Sequence, residues 1–312
     1  MSNATSTEVE RRPIDDYPVR VVSARPSLST RLRNLSDRRE LLSSLITSDI
    51  RIKYKNSALG IFWSMLSPAS TLAIYFLVFS FFLKNGVPNF VIYLFSGLLV
   101  WNMFQNSINS ATGVIVDRAQ LVKKVAFPRE ILALANVGAA VVYFAIQLCV
   151  LAIFLIAVGH APAWGYLWIL PISFVALYLF TASVAMVMSA ITVYLRDMKH
   201  LMEVLLMLWF WLTPVVYTYE NSLAAPLHRH GIAAIYFLNP ITLIVLTFQR
   251  VFYVSTDVHS TIAPHPILHI LPTWPISTYF YLNLALAGLM ILVFLVSVKI
   301  FGRLETNFES EL

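Results

Sequence analysis

The side chains able to do chemistry in this chain are few, and their spacing assembles little. Glu220, His228 and His230 are the only compact acid–base candidates in the loops, and they do not form the paired constellation that a membrane-embedded glycosyl- or acyltransferase would need. Arg196, Asp197, Lys199 and His200 gather just before a long apolar run, and Glu203 lies one turn inside it. An acid in such a run is costly against lipid, which makes Glu203 a functional candidate. None of the ten glycines is followed by Lys, so a GxxxxGK(S/T) phosphate loop is absent; HExxH, GxSxG and CxxC are absent too. Most of the seven histidines lie between residues 228 and 269, at a spacing that matches no compact metal motif. The single cysteine, Cys149, allows no disulfide within the chain. The chain is expected to hold no catalytic residue, no metal and no cofactor of its own.

Composition says where such a chain resides. Hydrophobic residues make up 58% of it and charged ones 12%, with a mean hydropathy of +0.73, whereas a soluble domain carries about 25% charged residues. The net charge of +6 is clustered: half of the 22 Lys and Arg precede residue 60, and Arg118, Lys123, Lys124 and Arg129 form a second group. Such clusters mark the cytosolic side of a membrane. No basic face interleaved with aromatics suggests nucleic acid. Residues 1–37 are polar, contain Pro13, Pro18 and Pro26, and lack the apolar core of a signal peptide. They read as a disordered cytosolic tail.

The elements that position these residues follow from apolar runs of roughly 20 residues. An all-α membrane protein is expected, with six spans near residues 61–83, 90–109, 131–158, 164–195, 201–218 and 276–301 within a membrane domain of residues 58–304. Residues 38–57 are amphipathic, too short and too charged to cross, and should lie in the interface as an anchor or as a docking face. Within them Asp49 and Lys53 are spaced to pair one helical turn apart. Residues 114–128 return between two spans as a short charged segment, either a handle for a partner or a solvated loop. Residues 231–253 hold two apolar pieces split at Asn239-Pro240. Taken as one span they would put Lys299 and Arg303 outside, against the charge rule; taken as a re-entrant pair on the outer side they keep both termini cytosolic. Residues 305–312 form a short acidic tail.

Two patches inside the spans are unusual. Trp101, Phe104, Gln105 and Asn106 mix rings with amides that are expensive against lipid, so they face other helices or line a pathway. Trp209, Phe210, Trp211 and Tyr217 are either an interfacial aromatic belt or the far end of such a pathway. A membrane protein with neither a nucleotide site nor an ion relay borrows its energy, and residues 40–56 and 117–129 are where a motor subunit could push.

The stretches at residues 48–69 (SDIRIKYKNSALGIFWSMLSPA), 121–132 (LVKKVAFPREIL), 194–217 (YLRDMKHLMEVLLMLWFWLTPVVY), 238–250 (LNPITLIVLTFQR) and 301–312 (FGRLETNFESEL) carry a resemblance. In this order the chain resembles the transmembrane permease subunits of ABC-type polysaccharide exporters, which move O-antigen, capsule, teichoic acid or galactan. The resemblance implies a bacterial cytoplasmic-membrane channel subunit working as a homodimer with two ABC nucleotide-binding subunits. ATP and Mg would sit on those partners, and the cargo would be a lipid-linked polysaccharide. It also implies a coupling surface of Asp117, Arg118, Leu121, Val122, Lys123, Lys124, Val125 and Phe127, supported by Arg51 and Lys53 of the interface helix. The alternative within the same fold is export of a small hydrophobic drug or antibiotic.

Overall fold

The computed structural model describes residues 28–53, 55, 57, 59–82, 86–125, 127–219, 233–260 and 267–312. Glu220, His228 and His230 lie outside them, as does the start of the 231–253 segment. The described chain is mostly helical. Helix α1 spans Leu28–Asp37 and α2 Arg39–Lys53. Helix α3, Trp63–Leu77, carries on as a π-helical stretch, Val78–Phe82. Then come α4 (Phe90–Thr112), two short helices α5 (Val114–Asp117) and α6 (Ala119–Lys124), and the long α7 (Glu130–Val158). A 3-10 turn, Trp164–Ile169, leads into α8 (Leu170–Tyr194), followed by α9 (Met198–Trp211). A second 3-10 segment, Ala233–Leu238, precedes α10 (Pro240–Phe252). Strands β1 (Asp257–His259) and β2 (Ile267–His269) pair antiparallel, with Val258 opposite Leu268. Helix α11 (Ile276–Leu304) and α12 (Phe308–Glu311) close the chain.

Helix α4 is the axis of the bundle. It packs against α7, α8, α9 and α10, and nearly every side chain from Phe90 to Phe104 is buried. Gly97 permits this, because a Cβ there would stand 2.9 Å from the Gln249 side chain and 3.4 Å from the Val215 backbone. Helices α8 and α11 form the other main contact. Ala176, Ala182, Ala185 and Ala190 are fully buried in α8, and small residues let helix backbones approach closely. Helix α7 stops where Gly159 adopts φ +70 and its N–H reaches back to the Leu155 and Ile156 carbonyls, a left-handed C-terminal cap.

Among the described residues, four helices are long and apolar enough to cross a membrane: Phe90–Thr112, Glu130–Val158, Trp164–Tyr194 and Ile276–Asn307. The other two expected spans correspond to shorter helices. Helix α3 has 15 residues before its π-helical continuation and contains Pro68. Helix α9 has 14 residues and ends at Trp211, short of the expected boundary at residue 218. Its end has a local cause. Pro214 cannot donate to the helix ladder, and the Thr213 hydroxyl instead bonds the Trp209 carbonyl at 3.0 Å.

The N-terminal tail is more structured than expected. Residues 28–37, assigned from the sequence to a disordered tail, form α1. Leu28 and Leu35 pack on the core, and Arg31 pairs with Glu130 at the start of α7 and, at 2.9 Å, with Glu305. Gly302 of α11 makes room for that guanidinium; a Cβ there would stand 2.7 Å from Arg31 Cζ. Residues 305–312 fold back rather than trail away. Phe308 is fully buried against Phe301 and Tyr194, with the Arg129 guanidinium 5.8 Å above its ring.

Candidate functional site

The charged end of the bundle is built around the break after α4. Gly113 caps α4, and Lys199 at the start of α9 crosses directly over it. A Cβ on Gly113 would lie 2.1 Å from Lys199 Cε. Lys199 Nζ therefore reaches Asp117 of α5 and donates to Oδ1 at 2.7 Å. The next residue, Arg118, leaves helical geometry at φ −109, ψ 26 and separates α5 from α6. Its guanidinium donates to Asp49 of α2. Adjacent residues are thus tied to different elements, Asp117 to α9 and Arg118 to α2.

This overturns one local expectation. Asp49 does not pair with Lys53; its Oδ1 accepts from Arg118, and its Oδ2 is buried without a hydrogen-bond partner among the described residues. Lys53 instead lies 4.2 Å over the Tyr143 ring, where the ring face attracts a cation. Helix α2 seats itself on α7 through Ile46, whose side chain occupies the space a Cβ on Gly138 would need. Its other face, with Ser43, Ser44, Thr47, Ser48 and Arg51, is exposed.

Helix α6 is one short turn with two sides. Val122 is buried, while Leu121, Lys123, Lys124 and Val125 are exposed. Phe127 is half-buried against the core. The expected coupling set is therefore brought together: Asp117 and Arg118 hold α5 and α6 down, Val122 and Phe127 anchor them, and the remaining four face outward. Arg51 and Lys53 stand on α2, with Arg51 on the exposed face.

The aromatic patches come together as well, but much of the cluster is closed. Trp101 is 2% and Phe104 0% exposed. Trp101 Nε1 donates to Gln105 Oε1 at 2.9 Å, and its ring lies 5.4 Å from that of Phe210. Phe104 stacks on Phe180 at 5.5 Å and meets Trp209 edge-on at 5.2 Å. In this conformation Trp101 and Phe104 are packing rather than an open lining, because surrounding rings cover both. Asn106 and Trp211, 61% exposed, do present surface. Glu203 also faces outward, 3.8 Å from His200 one turn earlier.

Asn239 joins this cluster to α10, and the Asn-Pro break was its only sign in the sequence. Asn239 Oδ1 accepts from Trp209 Nε1 at 3.1 Å and from the Ile241 N–H at 3.1 Å, capping α10. Its NH2 donates to Thr213 Oγ1 at 3.0 Å. The Tyr217 hydroxyl donates to the Trp211 carbonyl at 2.9 Å, so it accepts from Tyr236 at 2.6 Å.

Opposite, at the charged end, Arg31, Glu130, Glu305 and Arg129 form a linked ion cluster. Burial works against the Arg31 charge, but the hydrogen bonds and charges of Glu305 and Glu130 outweigh it and hold the guanidinium's proton more firmly than usual. Among the described residues no group of His, Cys, Asp and Glu has the arrangement of a metal site.

Comparison with known proteins gives a consistent neighbourhood. The family described as "ABC-2 type transporter" matches residues 40–253. An O-antigen export system permease protein, RfbA, of Myxococcus xanthus is 31% identical over 222 residues, covering 71% of this chain and 84% of that one. A protein of the same name from Klebsiella pneumoniae is 27% identical over 217 residues, covering 70% and 82%.

Proposed function

Because the chain belongs to the ABC-2 type transporter family, and so is a membrane permease subunit, we propose that it forms the channel of an ATP-driven exporter of a lipid-linked polysaccharide. The relatives named for O-antigen export support the class of cargo over a small hydrophobic drug. Two copies would enclose the conduit, each with six spans, a re-entrant pair at residues 231–253 and both termini in the cytosol. Two ABC ATPase subunits, binding ATP and Mg, would dock on the charged end. The protein would act in a bacterial cytoplasmic membrane and catalyse nothing itself.

The observation that carries this reading is the α5–α6 pair. It is a short excursion between two long apolar helices, fixed by ion pairs to α2 and α9, with Leu121, Lys123, Lys124 and Val125 turned outward. A motor subunit gripping that face would move three elements at once. Of the proposed lining, Trp211 and Asn106 are exposed and Gln105, Trp209, Phe210 and Tyr217 partly so, whereas Trp101 and Phe104 would border the conduit only after the aromatic cluster opens. Glu203 would face the second copy.

The test is reconstitution of the chain with its ATPase partner. Charge reversal at Lys123 and Lys124 should lower polymer export by about tenfold, equivalent to roughly 1.4 kcal/mol of lost coupling. ATP hydrolysis and the melting temperature of the chain should change little. Normal export from that variant, or a chain that purifies from its native membrane without any ATPase after gentle cross-linking, would remove the coupling role.

A further inference from the structure

The amides of α4 leave one question open. Asn102 donates to Gln147 at 3.4 Å and Gln105 accepts from Trp101, but among the described residues nothing bonds the Asn106 side chain, which is exposed. It opens into a cleft of roughly 460 Å³ within a single copy of the chain. Helix α2 contributes Asp49, α3 Trp63 and Ser67, and α7 Asn136 and Tyr143. The cleft lies near the charged end. Ser110, another lining residue, is two positions from the end of α4, and Asn136 is in the second turn of α7.

The wall has an unusual chemistry for a chain this apolar. Asn136 spends its NH2 on the Leu132 carbonyl, at 3.1 Å, which leaves its oxygen to accept. Gln147 accepts from Asn102 and keeps its own NH2 to donate. Asn106 can do both, as can the hydroxyls of Ser67 and Ser110. Trp63, 47% exposed, offers a flat apolar face. Rings beside neutral, orientable donors and acceptors suit an occupant with flat C–H faces and many hydroxyls. An acyl chain would strand the amides. A phosphate would meet the Asp49 carboxylate, and the single lysine in the cleft, Lys53, is already engaged over Tyr143.

We propose that this cleft between α2, α3, α4 and α7 is a carbohydrate subsite that holds one neutral glycosyl unit through the amides of Asn106, Asn136 and Gln147 and the face of Trp63. The cleft has the size of a small-ligand site. The inference rests on the export reading for its biological meaning, since the glycosyl unit would belong to the transported polymer, but the binding chemistry stands on the cleft alone. Unlike the buried rings of Trp101 and Phe104, the subsite is open in this conformation and complete within one copy.

The experiment is saturation-transfer NMR on the full chain with its ATPase partner in lipid nanodiscs. The probes are methyl glycosides of galactose, mannose and N-acetylglucosamine, with glycerol 1-phosphate as a competitor. At least one glycoside should show saturable transfer. Asn106→Leu should weaken it by about tenfold, the loss of roughly 1.4 kcal/mol, and Ser67→Trp, which fills the cleft without removing an amide, should abolish it. Melting temperatures identify a variant that fails to fold, and the two changes lie on different helices, so one remains informative if the other is lost. Absence of transfer from every glycoside, transfer untouched by both variants, or displacement by glycerol 1-phosphate would each overturn the subsite. Glycoside binding that persists in a complex found to export no polysaccharide would refute the export reading and leave the subsite standing.

Discussion

Arg31 gives the sharpest test of how the charged end is held. Its guanidinium bonds Glu130, which is 2% exposed, and Glu305. The three groups come from α1, the first residue of α7 and the turn after α11. Helix α1 has no fully buried residue, so apolar packing alone holds it weakly. Arg31→Met would leave the Glu130 carboxylate buried beside Glu305 without its partner. Breaking a buried pair from one side costs about 3–5 kcal/mol. Most of that should appear as release of α1, because α7 and α11 are fixed by the bundle. At about 3 kcal/mol the local opening equilibrium shifts by more than a hundredfold. Hydrogen exchange on the nanodisc-embedded chain should therefore show the α1 amides exchanging at nearly the free rate, with α7 beyond its first turns unchanged. Adding Glu130→Gln should restore much of the protection, since the uncompensated charge is then gone. A change of less than about threefold in α1, or a double variant as open as the single one, would show that the ion cluster does not hold this helix.

Other outcomes follow from the same geometry. Gly113→Ala should push Lys199 off Asp117 while costing less than about 1 kcal/mol in stability, since the displaced atoms end a flexible side chain and the pair is solvent-exposed; export per ATP should nonetheless fall, and unchanged coupling in reconstituted vesicles would count against α9 as a moving part. The exchange Asp117→Lys with Lys199→Asp should recover export lost in either single change, read in the same vesicles. Asn239→Ala removes the cap of α10 and the acceptor of the Trp209 indole, and should lower stability by about 2–3 kcal/mol; a denaturation midpoint like that of the unaltered chain would show that the junction is held by packing instead.

The parts of this architecture that were legible in the sequence are those set by local composition. Long apolar runs gave α4, α7, α8 and α11 nearly to their ends. Charge marked residues 114–128, which hold α5 and α6, as an excursion between spans, and Asn239-Pro240 marked a real break between helical segments. The α1 helix was not legible, because its partner charges lie 99 and 274 positions away and its own composition is that of a solvated tail. The early end of α9 was signalled by Pro214 but hidden by the apolar run that continues through Val216. Asp49 illustrates the limit of local pairing rules. Lys53 is correctly spaced for it, yet Arg118 arrives from another element and bonds its Oδ1. Buried rings posed the opposite difficulty: Trp101 and Phe104 have the residue types of a lining, and only the positions of Phe180, Trp209 and Phe210 reveal that they are covered.

The two tethers on adjacent residues constrain how any push on α6 can spread. Asp117 and Arg118 share one peptide bond, so α6 cannot shift without loading both. The load is unequally resisted. Arg118 and Asp49 are largely shielded, whereas Asp117 is 62% and Lys199 38% exposed. An exposed pair contributes at most about 1 kcal/mol, and water replaces either partner readily; a shielded, hydrogen-bonded pair is costlier to separate. A displacement of α6 should thus release α9 before it releases α2. Helix α2 would travel with α6 as a unit, reseating Ile46 against Gly138, while α9 is left free to take a second position. Helix α9 carries Trp209 and Phe210, the rings that cover Phe104 and Trp101. Under the proposed function, loss of the exposed tether at one end of α9 would connect a force on the charged surface to opening of the aromatic cluster, and the Asp117–Lys199 charge exchange tests that connection directly.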